Sequence, residues 1–413
     1  MAGDVDVVVA GAGAAGLAAG RRLMDRGLRV VVAEARARVG GRAWTADLGG
    51  HPADIGCGWL HSGNRNPWTA IAGRLGLEVD RTTPDWGARF ARAHQLSGEE
   101  VAAKEHFFDH AFRVSEDFAE PDRALADLLP ADDPWLPAFA AVQGYISGAG
   151  PGVVSALDLA RYADTGVNWR VVAGYGTLVA RYGEGLPVAT DTPVRAIDWG
   201  GPAGVRVSTA KGELRCRAVV VTVPASLIAE GAIRFDPPLP DAKLEAAAGL
   251  PMGRVTKLHL GVDGRPWDLP DDRQVVGSPR RERTGAYHLR PFGRPLVEAY
   301  YGADLALELE RAGPEAAAAF AADELAGLFG ASVRGRLRPL LLSGWAADPW
   351  SRGAYSYARP GCADGRAVLA EPVEGRLFFA GEACSRDAFS TAHGAYRTGR
   401  RAAGEVLRAL RRP

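Results

Sequence analysis

The opening thirty-odd residues carry the clearest alternation of apolar runs and turn residues in the chain. Val5 to Ala10 is a short run rich in β-branched residues, which predicts a buried strand. Gly11 to Gly16 reads as a tight glycine turn, and Ala14 to Arg26 as a helix with Leu17, Leu23 and Met24 among its apolar positions. Gly27 closes that helix as a glycine does just past a helix end. Leu28 to Ala33 is a second apolar strand. Strand, helix and strand in about 30 residues form a β-α-β unit and open a parallel sheet.

The pattern then changes twice. From about Pro84 to Ala163 it becomes helical, with charged faces, scattered aromatics and proline breaks around Pro130 to Pro137. Val188 to Val223 returns to short strands, including a hairpin of Ala196–Trp199 and Val205–Thr209 about the turn Gly200 to Gly204, and a buried strand from Ala218. Pro237, Pro238 and Pro240 mark a boundary. Val255 to Val262 alternates as a strand with Val255, Lys257 and His259 on one face, and Pro314 to Phe329 is an alanine-rich helix. Leu377 to Ala380 is a last apolar strand, and a long helix begins at Thr391. The pattern predicts an α/β fold: a discontinuous Rossmann-like domain from residues 1–83, 186–236 and 336–413. An inserted α+β substrate-binding domain comes from residues 84–185, mostly helical, and 237–335.

Composition adds exclusions. The 413 residues carry 49 basic and 49 acidic side chains, so nothing in the net charge speaks for a nucleic-acid partner. Cys57, Cys216, Cys362 and Cys384 form no C-x-x-C pair and suggest neither a zinc site nor a disulfide framework. A reducing cytoplasm is the expected setting. The longest uncharged stretch, Pro134 to Leu157, is broken by glycines and prolines, so no membrane span is expected. His106 and His110 stand i, i+4 on a predicted helix without an evident third ligand, so no metal is expected. Oligomeric state is not legible.

The turn G-A-G-A-A-G (Gly11, Ala12, Gly13, Ala14, Ala15, Gly16) sits between strand and helix, where it suits a dinucleotide. The first glycine permits the turn, the second admits a pyrophosphate, and the third lets helix and strand pack closely. The helix start offers free N–H groups to phosphate. Glu34, ending the second strand, can accept from ribose hydroxyls. This motif does not separate NAD from FAD. The following run, Ala35, Arg36 and onward to Gly40, Gly41 and Arg42, offers a second phosphate-facing loop.

At this point the chain resembles the flavin-dependent amine oxidase family: monoamine, polyamine and spermine oxidases and the flavin histone lysine demethylases. The resemblance continues through D-I-G-C-G-W-L-H (Asp54 to His61), V-R-A-I from Val194, V-T-V-P from Val221, and L-P-M-G-R-V-T-K ending at Lys257. D-P-W-S-R-G-A-Y-S-Y from Asp348, F-F-A-G-E ending at Glu382 and S-T-A-H-G-A-Y from Ser390 complete it, in family order. It implies that the Gly40-Gly41 pair and Arg42 contact the FAD pyrophosphate, Val194 holds the adenine by its backbone, and Gly58 and Trp59 contact the flavin. Gly381 and Glu382 face the ribityl chain, and the N–H groups of Thr391 and Ala392 face the flavin N1/C2 region. Lys257 would hold a water at flavin N5. Tyr355 would be one wall of an aromatic cage; the second tyrosine of monoamine oxidases falls at Thr391, so the cage would be half open, as in demethylases and spermine oxidases, with His61 near the amine. The cysteine that attaches flavin in monoamine oxidases falls at Ala354, which implies non-covalent FAD.

The implied reaction moves a hydride from the carbon beside a neutral amine nitrogen to the flavin. The imine is then hydrolysed to an aldehyde, and O2 is reduced to hydrogen peroxide. A small-molecule amine of polyamine type, or another primary or secondary amine, is the expected substrate. Acidic residues such as Glu99, Glu100, Glu105 and Asp109 are available for a pocket mouth. The rivals are an amino-acid oxidase, which needs a buried arginine, a desaturase or porphyrinogen-type oxidase, and a flavin-binding partner or sensor without turnover.

Overall fold

The strand Val7–Ala10 occupies the middle of a five-stranded parallel sheet in the computed structural model, which describes residues 5–84, 86, 93–116, 118–202 and 204–411. The order across the sheet is Leu377–Phe379, Ala218–Val221, Val7–Ala10, Val30–Ala33, Val188–Ala189. Most of these strands are apolar at successive positions, as strands covered on both faces must be. Helices Ala14–Met24 and Ala392–Ala409 pack together on one face, with Leu17, Leu23, Ala402 and Val406 in the shared core. The two ends of the chain therefore build one layer.

The first two strands are shorter than the sequence pattern suggests. Val5 and Asp6 precede the first ladder, and the Asp6 carboxylate accepts the Arg29 N–H at 2.8 Å instead. The helix stops at Met24, and Gly27 follows in the left-handed region with φ +80. The expected hairpin forms from Val194–Asp198 and Val205–Thr209; Ala203 in its turn lies outside the described residues.

A second five-stranded sheet is antiparallel throughout, ordered Arg273–Val276, Ala286–Leu289, Leu296–Gly302, Val255–Val262, Leu337–Leu342. One face, with Leu258, Leu260, Val297 and Tyr301, packs against helices Ala303–Ala312 and Pro314–Phe329. The other face is not solvated. Helices Gly98–Glu116 and Leu136–Ser147 lie over it, and Phe107, Phe139 and Tyr145 meet Ala286 and Tyr300 there. Every residue of Val255–Val262 is buried, so its alternation separates an apolar from a polar interior face.

Two segments pack differently from the expected domain edges at 186 and 336. Val171 and helix Tyr175–Tyr182 contribute Tyr175, Leu178 and Val179 to the core of the parallel sheet. Leu337–Leu342 is an edge strand of the antiparallel sheet, because its partner Val255–Val262 offers it an open ladder. Among the described residues no helix is long and apolar enough to cross a membrane.

Candidate active site

A cavity of about 1060 Å³ runs from the C-terminal ends of the parallel strands to the polar face of the antiparallel sheet. This is where ligands of open α/β sheets bind. At one end lie Gly11, Gly13, Ala14 and Ala15, Glu34 to Arg36, Gly40 to Arg42, Val194, Gly381 and Glu382. At the other lie Gly58, Trp59, His61, Lys257, Tyr355, Thr391 and Ala392. Two expected residues, Ala12 and Gly16, are not on its wall, and their places explain why. The Ala12 N–H donates to Glu34 Oε2 at 2.7 Å and so orients that carboxylate. A Cβ on Gly16 would stand 1.8 Å from the Gly11 carbonyl oxygen, so Gly16 is the close-packing glycine of the turn.

The first end suits a diphosphate. Helix Ala14–Met24 has no side chain capping its start, and its first residues face the cavity, leaving N–H groups and a positive dipole end for an anion. Glu34 is buried and accepts from Ala12 and, through Oε1, from the Arg36 N–H at 2.9 Å. Arg36 itself reaches Asp348 and Ser351, each at 2.6 Å. Arg42 Nη1 donates to Glu382 Oε1 at 2.9 Å and to the Ala354 carbonyl at 2.8 Å. Glu382 further accepts from Ser356 (N–H 3.1 Å, Oγ–H 2.7 Å) and from the Ser390 N–H at 3.0 Å. Burial pushes its pKa up, but Arg42, Arg366 and Ser356 outweigh that, and the net shift is downward.

The second end is a fixed cluster of titratable groups. Lys257 Nζ donates to the Asp54 carbonyl oxygen at 2.9 Å and pairs with Glu298 Oε1 at 3.2 Å. Burial works against its charge, yet Glu298, Asp54 and Tyr300 raise its pKa above the usual lysine value. Burial likewise opposes ionisation of Glu298, but Lys257 and His259 hold its pKa far below the carboxylate range. Both partners are charged. His61 Nδ1 meets Asn168 Oδ1 at 2.6 Å, while the Asn168 amide donates to the Gly166 carbonyl at 3.1 Å. That orientation puts the imidazole proton on Nδ1 and leaves Nε2 as an acceptor. Burial lowers the His61 pKa, against the Asn168 bond and the Asp164 charge, and keeps the ring neutral.

Tyr355 lines the cavity with its ring. Its hydroxyl lies 3.0 Å from the Tyr300 hydroxyl and donates to the Tyr145 carbonyl. Burial raises both phenols, so both stay protonated. The Thr391 hydroxyl caps helix Ala392–Ala409, accepting the Gly394 N–H at 3.0 Å and donating to Ala388 O at 2.7 Å. Of the acidic residues considered for the mouth, Glu105 and Asp109 line it. Glu99 and Glu100 do not, and Glu100 pairs with Arg280 at 2.7 Å. His106 and His110 are exposed.

Sequence reasoning missed Glu298, Tyr300 and His288, which line the same wall, and the role of Asp54. Glu298 and Tyr300 stand two apart in L-V-E-A-Y-Y-G, the same alternation as Lys257 and His259 in V-T-K-L-H-L. Pairing those two strands antiparallel would have brought them together.

The uncapped helix, the glycine turn, the buried Glu34 and the cavity's reach across both sheets fit a dinucleotide coenzyme. The family described as flavin containing amine oxidoreductase matches residues 14–141 and 137–407. Polyamine oxidase 4 of Oryza sativa subsp. japonica is 31% identical over 445 residues, covering 98% of this chain and 89% of the relative. Lysine-specific histone demethylase 1 homolog 2 of the same plant is 29% identical over 443 residues, covering 98% and 57%. The chain thus spans little more than half the length of the demethylases. A solved putrescine oxidase, wild type bound to putrescine, superposes with a TM-score of 0.79 at 21% identity, covering 99% of this chain and all of the other. The chain belongs to the flavin-containing amine oxidoreductase family, with FAD as its cofactor.

Proposed function

We propose that the protein is an FAD-dependent oxidase of small amines, with diamines and polyamines as the favoured substrates and O2 as the acceptor. The Gly11–Gly16 turn and Arg42 would hold the diphosphate, and Glu34 the ribose. Segments 1–83, 186–236 and 336–413 would supply most of that end, and segments 84–185 and 237–335 most of the substrate end. When bound, FAD supplies a two-electron acceptor for the hydride on the carbon beside the amine nitrogen and passes the electrons to O2, leaving an imine for water to hydrolyse.

The chain's own residues prepare that chemistry. The neutral His61 offers Nε2 as an acceptor for a substrate N–H. Tyr355 presents an aromatic face that tolerates an ammonium. The Lys257 ammonium has three donors, of which Asp54 O and Glu298 take two, so one can hold a water. Ala354 offers no nucleophile, and burial and the Asp54 charge push the Cys57 thiol up to about 12, which supports non-covalent attachment.

The observation that carries the substrate class is the distribution of charge along the cavity. Among the described residues, the arginines on its wall are Arg36 and Arg42, both at the coenzyme end and both paired with carboxylates. The substrate end carries Glu105, Asp109, Asp164 and Glu298 beside Lys104 and Lys257. Among the described residues no arginine lines that end's wall for an amino acid's carboxylate, Arg170 behind Trp59 being paired with Asp80 and Asp272, and the acids there suit a second ammonium. The solved relative bound to putrescine supports the same class.

The test is anaerobic bleaching of the purified yellow protein by putrescine, spermidine, spermine, aromatic monoamines and amino acids. Reduction by the diamine and polyamines at least about tenfold faster than by any amino acid is expected. Bleaching by an amino acid and not by its decarboxylated amine would overturn the proposal, and no bleaching at all would favour a binding protein without turnover.

A further inference from the structure

Lys257 shares the cavity face of the antiparallel sheet with a carboxylate from the next strand. The register sets Lys257 opposite Tyr300 and His259 opposite Glu298, with His288 on the far side of Glu298. Glu298 is thus a diagonal neighbour of Lys257, close enough for long side chains to meet. Its two oxygens divide the work. Oε2 lies 3.4 Å from His259 Nε2, and Oε1 lies 3.2 Å from Lys257 Nζ. The Asp54 carbonyl holds Nζ from a different segment at 2.9 Å. Two tethers on separate elements leave the third N–H one direction. Gly58 sits beside the ammonium without a side chain to obstruct it: a Cβ there would stand 3.6 Å from Nζ.

We propose that Glu298 is a positioning residue, which together with the Asp54 carbonyl tethers the Lys257 ammonium and directs its remaining N–H into the cavity. The inference rests on the reading above that Lys257 works beside the coenzyme. The groups facing Lys257 are Asp54 and Cys57 from the segment before Trp59, His259 from its own strand, Glu298 and Tyr300 from the next, His288 beyond, and Tyr355 against Tyr300. The thiol and phenols are held protonated by burial. The Asp54 carboxylate is turned away to the Thr45 hydroxyl at 2.6 Å and the Tyr175 and Gly176 N–H groups at 2.9 and 3.2 Å. Glu298 is therefore the carboxylate whose oxygen meets Nζ. Without it only Asp54 and Tyr300 are left to answer burial, and the proton is given up at lower pH.

Four lysines in the chain make this directly measurable. Holoenzyme labelled with 15N at lysine Nζ is titrated, with K257M assigning the signal, and the O2 reoxidation rate of dithionite-reduced holoenzyme is followed by stopped flow over the same range. In the unsubstituted protein the Lys257 signal stays that of an ammonium to about pH 10, and reoxidation shows no loss as pH rises toward it. In E298Q, which keeps the shape and removes the charge, the titration moves down by at least about one pH unit. Reoxidation then falls about tenfold per pH unit above the new midpoint. Should E298Q not retain flavin, E298D withdraws the charge by one methylene, and the Lys257 midpoint must still move down. A Lys257 titration unmoved in the variant that holds flavin overturns the proposal. K257M that reoxidises at the normal rate would instead refute the role of the lysine, while the titration would still judge Glu298.

Discussion

Arg42 Nη1 and Glu382 Oε1 lie 2.9 Å apart although 340 residues separate them in the chain. The pair fastens the loop after the second parallel strand to the loop after the last one, across the coenzyme end of the cavity. The resemblance implies a ligand contact for each residue; the structure also pairs them with each other.

Replacing Arg42 by alanine therefore does more than remove the proposed phosphate contact. It leaves Glu382, whose side chain is 6% exposed, as a buried carboxylate without its main counter-charge. Breaking such a pair costs about 3 kcal/mol, the low end of the range because Arg42 itself is partly exposed. The substituted protein should melt several degrees lower and lose FAD on dilution. With Arg42 gone, burial pulls the Glu382 pKa up from its depressed value. In the intact protein that depressed value gives stability that is full above about pH 4.3 and is lost as pH falls below it. The substituted protein should accordingly show a weaker acid-side loss below that pH. Equal flavin affinity and melting temperature in the two proteins would contradict the role of the pair.

Gly16 gives the second test. A Cβ there meets the Gly11 carbonyl at 1.8 Å, and both sides of that clash are backbone, so neither can swing away. Gly16→Ala must push the helix off the strand and misplace the N–H groups at its start. Purified Gly16→Ala should carry about tenfold less flavin, read from the absorbance ratio of coenzyme to protein. Stoichiometric yellow protein would show that the turn does not hold the diphosphate.

These two sites differ in how legible they were. The glycine turn, Glu34 and the apolar strands are written in local spacing, because each depends on residues within one β-α-β unit. Lys257 was also visible, although a strand lysine ordinarily faces water and the pattern alone does not say that both faces of Val255–Val262 are buried. The partners of Lys257 were not visible. Glu298 comes from a strand about 40 residues on, and Asp54 from some 200 residues earlier. Which residues meet depends on sheet register and on helix Gly98–Glu116 closing over the sheet. The same dependence separates Glu105 and Asp109, which reach the cavity, from Glu99 and Glu100 about one to three turns earlier, which do not. A run of acids on a helix does not reveal which face the tertiary packing will select.

The hydroxyls of Tyr300 and Tyr355, 3.0 Å apart, make a third prediction. Tyr355→Phe keeps the ring on the cavity wall and loses its bonds to Tyr300 and the Tyr145 carbonyl, so kcat/KM should fall only about three- to tenfold. Tyr355→Leu also removes the aromatic face, and KM for a diamine should rise by a further tenfold or so. Tyr300→Phe breaks the same hydroxyl contact, so the double phenylalanine variant should cost less than the two single changes combined. Strict additivity in steady-state kinetics would show that the contact does not couple the two residues.

His393 sits in the first turn of the last helix and is buried. Burial, with Arg397 and His61 nearby, pushes its pKa down to about 3, and burial lowers His61 as well. An unfolded chain binds these protons at about pH 6.5 whereas the folded one does not. The sign follows from linkage: below about pH 6.5 the unfolded state holds more protons, so stability falls as pH falls. Each histidine contributes a slope of up to about 1.4 kcal/mol per pH unit, continuing to about pH 3 for His393. Carboxylates with ordinary values protonate mainly below about pH 4.5; between about pH 6.5 and 4.5 His94, lowered by burial, adds to the histidine loss, and Glu310, raised to about 6 by burial, partly offsets it. The melting temperature of the holoenzyme should drop steadily across that interval. His393→Gln, which cannot take up the proton, should melt lower at pH 7.5 yet lose distinctly less on acidification. A variant whose melting temperature falls as steeply as that of the unsubstituted protein would mean that His393 is already protonated in the folded state, which its buried place beside Arg397 argues against.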